Sequence, residues 1–161
     1  MTGMNFLAVA LCAAVAGCVQ SNSMRVSQNE TIIQTSAAPI CGGVGAARAA
    51  QKLAAVETIK AGYDRYIIVS AASANNVRTT QMPGSYQTYG TINSYGNYGT
   101  VNATTTYTPG PIIHSGTHDQ SIGVRMFREG EPGAGQALSA RETLGPKWEK
   151  IVKGGVLTCG A

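Results

Sequence analysis

Asn75 to His118 separates two apolar segments and contains Arg78 as its only Lys, Arg, Asp or Glu. Tyr89-Gly90-Thr91, Tyr95-Gly96 and Tyr98-Gly99-Thr100 recur as imperfect copies, and Asn102 to Thr108 is almost all Asn, Thr and Tyr. Tyr and Thr favour strands, whereas Gly and Asn interrupt them. The stretch has too few aliphatic side chains for a core of its own, so the flanks must supply one. The expectation is a projecting, mobile hairpin or loop, with a disordered insertion as the alternative. Tyrosines offer large amphipathic contact area at small entropic cost, and Ser, Gly and Asn adapt their hydrogen bonding around them. Tyr86, Tyr89, Tyr95, Tyr98 and Tyr107 are therefore the candidate binding residues. They could also stack on sugar rings, but the segment lacks the paired acids a glycoside hydrolase needs.

The flanks carry clear periodicity. In Ala46 to Ala61, Ala46, Ala49, Leu53 and Val56, with Ile59 at the margin, fall on one helical face. Gly62 supplies a left-handed stop, after which Tyr63 can fold back on the last turn. Arg65 to Ala71 reads as a central strand, apolar on both faces in its middle. Ser121 to Phe127 reads as a second strand with Ile122, Val124 and Met126 on one side. A helix from Gln136 to Leu144 follows, turning Ala137, Ala140 and Leu144 inward. Pro146 opens a last short helix with Trp148, Ile151 and Val152 toward the core, and Val156 to Cys159 ends the chain extended. This order predicts an α+β fold: a small, antiparallel sheet with helices packed on one face, and a Tyr/Gly/Thr-rich excursion, residues 75–118, between two core strands.

Several chemistries lack support. Gly43-x-Gly45 is followed by Arg48 where a dinucleotide site needs a small residue, so the glycines read as a flexible helix entry. His114 and His118 stand four apart around Gly116 and after Pro111, a poor setting for the helix that would align two metal ligands. With only two histidines and no nucleophile motif beside either, no catalytic set emerges, and neither an enzyme, a cofactor nor a metal is expected. The net charge of +4 is spread among interleaved acids and bases, which gives no stripe for nucleic acid.

At the start of the chain, Phe6 to Ala16 is an uncharged apolar run, too short to span about 30 Å of hydrocarbon as a helix, and it reads as a signal, residues 1–17, that is removed. It closes on Val15-Ala16-Gly17-Cys18, which resembles the lipobox of bacterial lipoproteins. The resemblance implies cleavage before Cys18 and acylation of that cysteine, and two or more acyl chains give lasting membrane attachment. Val19, in place of Asp, follows the cysteine. The family resemblance then favours an outer-membrane lipoprotein facing the periplasm. Residues 18–40 are mostly polar and read as a lipidated, flexible tether in which Thr31 to Thr35 could add a short edge strand. Residues 41–161 form the single domain.

Over about residues 41–159 the layout looks like a loose set of small proteobacterial envelope lipoproteins, whose generic motifs carry no activity with them. Export would leave Cys41 and Cys159 in an oxidising compartment, so a disulfide between them is expected; two buried thiols, or pairing with another protein's cysteine, remain open. The expected function is structural or protein-interacting, at the envelope, with an envelope protein or cell-wall component as partner. The alternative is a small-ligand or glycan-binding lipoprotein using the same tyrosines.

Overall fold

The computed structural model describes residues 19–156. The signal, Cys18 and Cys159 lie outside the described residues. The fold is α+β. Among the described residues its main sheet has five strands, all paired antiparallel: β1 (Val19–Arg25), β2 (Glu30–Ala37), β3 (Arg65–Asn75), β8 (His118–Phe127) and β9 (Leu138–Ser139), in the order β1-β2-β8-β3-β9. Helix α1 (Gly42–Lys60) crosses one face, mainly over β2 and β8, and α2 (Ala140–Leu144) and α3 (Trp148–Gly154) pack against it.

The alanines of α1 explain how closely it lies on the sheet. Ala46, Ala49, Ala50, Ala54 and Ala55 are buried with Leu53 and Val56, against Ile33, Tyr66, Ile122, Val124 and Met126 from the strands. The helix ends as its sequence requires: Gly62 takes φ 81°, its amide donates to the Ile59 carbonyl, and the Tyr63 amide donates to the Thr58 carbonyl. The entry differs from expectation. Gly42, Gly43 and Gly45 belong to the helix, and Gly45 is buried in it. The second helix is shorter than its sequence suggested, because Leu138 and Ser139 pair with Tyr66 and Arg65 as β9 before Ser139 caps α2 by accepting from the Glu142 amide at 3.3 Å. Trp148, Ile151 and Val152 pack against the core as partly buried side chains.

The tether expectation for residues 18–40 is overturned from Val19 onward. β1 and β2 form a hairpin, and β2 is an interior strand, paired with β1 on one side and β8 on the other. Its inward positions are Thr31, Ile33, Thr35 and Ala37, all buried. Two of the four are threonines, which makes the segment read as polar. Their hydroxyls are satisfied locally, Thr31 Oγ1 donating to the Met24 carbonyl at 3.0 Å and Thr35 Oγ1 to the Ala46 carbonyl at 3.4 Å. Cys41 follows, partly buried against the core at the foot of α1 and disulfide-bonded, with its partner outside the described residues.

β3 and β8 are neighbours, so the excursion is the connection of a hairpin. Val69 is bulged out of the ladder between the Ile68↔Val124 and Ser70↔Gly123 pairs, and Gly123 opposite it has no side chain to meet Ser70. An extra residue on one strand bends and twists the pair, and here it does so where β3 has already left its cover: every residue of the strand from Ile68 on is exposed, so its middle is not buried on both faces as its sequence suggested.

Candidate functional site: the projecting ribbon

Beyond the bulge the pairing runs outward without another shift. β3 and β8 pair from Ser70↔Gly123 to Asn75↔His118; β4 (Arg78–Gln81) and β7 (Ile112–Ser115) pair from Arg78↔Ser115 to Gln81↔Ile112; β5 (Ser85–Tyr95) and β6 (Tyr98–Thr108) pair from Ser85↔Thr108 to Tyr95↔Tyr98. The joints keep the same register, since the Asn76 amide donates to the Thr117 carbonyl and the Met82 amide to the Pro111 carbonyl, each at 2.9 Å. The excursion is thus one continuous two-stranded ribbon, and the irregular-loop and disordered-insertion alternatives do not describe it. From Asn76 to Tyr95, at about 3.3 Å per residue, it reaches about 65 Å.

The tip is a two-residue turn, Gly96-Asn97, in which Gly96 has φ 57° and no described non-glycine residue has positive φ. Glycine alone in the first central position matches a type II′ turn, whose twist suits a hairpin. At the root, Gly116 has φ 102°, and a Cβ there would overlap the Asn76 carbonyl, so only glycine lets the strands meet. Beside it Asn76 Nδ2 donates to Asp119 Oδ2 at 2.6 Å. The neighbouring Ser36 and Thr117, then Asn76, with a smaller contribution from His118, hold the Asp119 carboxyl below its ordinary range, while among the described residues its Oδ1 has no hydrogen-bond partner within bonding geometry.

Every residue of β4, β5, β6 and β7 is exposed. All five candidate tyrosines lie on β5 and β6, from 49% to 86% exposed. Register gathers four of them into two pairs. Tyr86 faces Tyr107 near the root end of the hairpin, with ring centroids 4.8 Å apart and planes inclined at 40°. Tyr95 faces Tyr98 at the tip, and Tyr89 stands between the pairs opposite Thr104. No single cluster holds all five.

Paired residues share a face and faces alternate along a strand, so the hairpin has two distinct sides. One bears Tyr86, Thr88, Gly90, Ile92 and Ser94 opposite Tyr107, Thr105, Ala103, Val101 and Gly99. The other bears Gln87, Asn93 and Asn102, the only side-chain amides of the two strands, along with threonines and Tyr89, Tyr95 and Tyr98. Aliphatic side chains fall on the first side and amides on the second. Ile92 and Val101 were not among the sequence candidates; a two-residue alternation was the signal available for them.

His114 lies on β7, where its Nδ1 is 3.0 Å from Thr79 Oγ1, and His118 starts β8. Among the described residues no group of three or more His, Cys, Asp or Glu side chains is placed to hold a metal, and no helix is long and apolar enough to cross a membrane. No protein-family model matches the chain, and no curated protein or solved structure shows significant similarity to it.

Proposed function

We propose that the protein is a lipid-anchored envelope protein with a structural, protein-interacting role, and that the ribbon is its contact element. The observation that carries this reading is the ribbon itself: a hairpin reaching far from the core, exposed on both sides and bearing an aromatic pair at each end. An isolated two-stranded hairpin is marginally stable in water, and open strand edges invite pairing, so a partner that covers this surface would stabilise it. Anchoring is supported by Val15-Ala16-Gly17-Cys18 alone. Since β1 begins at Val19, a lipid on Cys18 would hold the folded body against the membrane, with no long spacer between them. The outer membrane, periplasmic side, is the proposed address.

Two measurements test this. Membrane fractionation of chains lacking residues 85–108, with Cys18 or with Cys18→Ala, should find the variant soluble or retained as an uncleaved precursor; detergent partitioning like that of the Cys18 chain would refute the anchor. Cross-linking in intact cells, with and without residues 85–108, should show protein partners lost on deletion. An unchanged cross-link pattern would sink the contact role, and wild-type binding to glycan fragments, lost on deletion, would favour the sugar-binding alternative instead.

A further inference from the structure

We infer that the β5–β6 hairpins of several copies of this chain join edge to edge into a closed, membrane-spanning β-barrel, each copy contributing two strands. The inference deepens the contact role of the ribbon and names the partner as the chain itself.

Four observations meet here. The first is length. β5 and β6 are each 11 residues long, which is the length of a tilted strand that crosses a bilayer. At about 3.3 Å per residue and a tilt of about 45° they rise about 25 Å, the height of the apolar band of such barrels.

The second is charge. No Lys, Arg, Asp or Glu occurs between Arg78 and Asp119, so nothing in the hairpin would place a formal charge in hydrocarbon.

The third is the division of the two sides. Ile92, Val101, Ala103 and Gly90 occupy the middle of one, flanked on the root side by Thr88 and Thr105 and then the Tyr86–Tyr107 pair, and Gln87, Asn93 and Asn102 are confined to the other. Apolar residues toward lipid, polar residues toward a wet interior, and aromatic residues near both ends of the strands form the pattern of a transmembrane barrel strand. At the tip the aromatic residues, Tyr95 and Tyr98, lie on the amide-bearing side, so the outward-facing aromatic pair is the one at the root end, Tyr86 and Tyr107.

The fourth is where the hairpin points. Val19 pairs with Ala37, Ala37 with His118, and His118 with Asn75, so these four form one row across the end of the sheet from which the ribbon leaves. Three strand spacings separate Val19 from Asn75, about 14 Å. A lipid on Cys18 would therefore hold toward the membrane the same end of the body that sends out the ribbon, with β4 and β7 leading about 30 Å from that end to the β5–β6 hairpin.

Two strands cannot close on themselves, and in hydrocarbon an open edge leaves backbone groups without hydrogen bonds. The smallest transmembrane barrels have about eight strands, so at least about four copies are needed. Edge-to-edge joining also removes the exposed edges that make the lone ribbon marginal.

The test uses the full acylated chain, extracted in detergent and reconstituted into phosphatidylethanolamine and phosphatidylglycerol vesicles containing trapped carboxyfluorescein. Ile92 and Asn102 sit in adjacent rows of the hairpin on opposite sides, at nearly the same depth. Wild type should appear by native mass spectrometry as a ring of at least about four copies and release dye. Asn102→Lys should keep both properties, and Ile92→Lys should lower dye release at least about tenfold, while both variants keep the body's wild-type melting temperature. A chain that stays monomeric, rings that release no dye, or equal effects of the two lysines would each overturn the barrel. Cross-links from the ribbon to a different protein, together with any of those results, would leave the contact role standing without it.

Discussion

Asn76 and Asp119 are joined by a 2.6 Å hydrogen bond across the two strands at the point where the ribbon leaves the sheet. The pKa of the carboxyl is lowered by its surroundings, Ser36 first and then Thr117 and Asn76. Its folded pKa lies below the unfolded value of about 3.9. The stabilisation is therefore complete above about pH 4 and is lost as the pH falls from there through the folded value. Thermal unfolding followed from about pH 6 into acid should show this loss in wild type and a flatter profile in Asp119→Asn. Parallel profiles would mean the contact contributes nothing.

Gly116→Ala tests the crossing itself. Alanine would have to adopt φ 102° and place its Cβ on the Asn76 carbonyl, so the joint must open. The expected cost is about 1 to 3 kcal/mol, concentrated at the root. Amide exchange should accelerate at Asn76 and through β4 and β7 while Tyr66 and Val124 stay protected; unchanged exchange at the root would refute the account.

Tyr66 is fully buried, and its hydroxyl lies 3.1 Å from Thr143 Oγ1, tying β3 to α2. Thr143 also donates to the Ser139 carbonyl at 2.9 Å, so Tyr66→Phe leaves it with a partner and should cost only about 1 kcal/mol in a urea titration. Tyr66→Ala should cost about 3 to 5 kcal/mol through the cavity it leaves. Burial raises the phenol pKa, so the neutral ring stabilises the fold up to about pH 10 and that stabilisation falls away above it. The phenylalanine variant should lack this share of the alkaline loss.

For Cys41 the expected partner is Cys159, which would staple the domain's two ends. By the chain-entropy model, closing a loop of this size stabilises the fold by an upper estimate of about 4 to 5 kcal/mol. Peptide mapping of unreduced, alkylated protein should recover the two cysteines in one linked pair. Recovery of Cys41 linked to another chain, or of Cys159 carrying the alkylating label, would refute the pairing.

The core elements were legible in the sequence because single-sided periodicity marks them: Ala46 to Val56 for the helix, Ile122 to Met126 for the strand, and Gly62-Tyr63 for the stop between helix and strand. Residues 19–37 were legible only as a short edge strand at Thr31 to Thr35, for two physical reasons. β1 buries only Val19 and is held by backbone pairing, and β2 turns threonines inward beside Ile33 and Ala37. Backbone pairing leaves no hydropathy signal. In the ribbon the tyrosines stood out in the sequence as candidates for contact, but the sorting of Ile92 and Val101 away from Asn93 and Asn102 emerges only once the strands are placed in register.

Because the ribbon keeps one register from Ser70↔Gly123 to Tyr95↔Tyr98, its length is a countable quantity. One residue inserted into a single strand would reverse every side chain beyond it, and one residue in each would swap which side the next segment shows. Changes that preserve the sides come in steps of two residues per strand, about 6.6 Å of reach at a time. The excursion is a ruler with fixed graduations, and related chains should differ in this stretch by multiples of four residues.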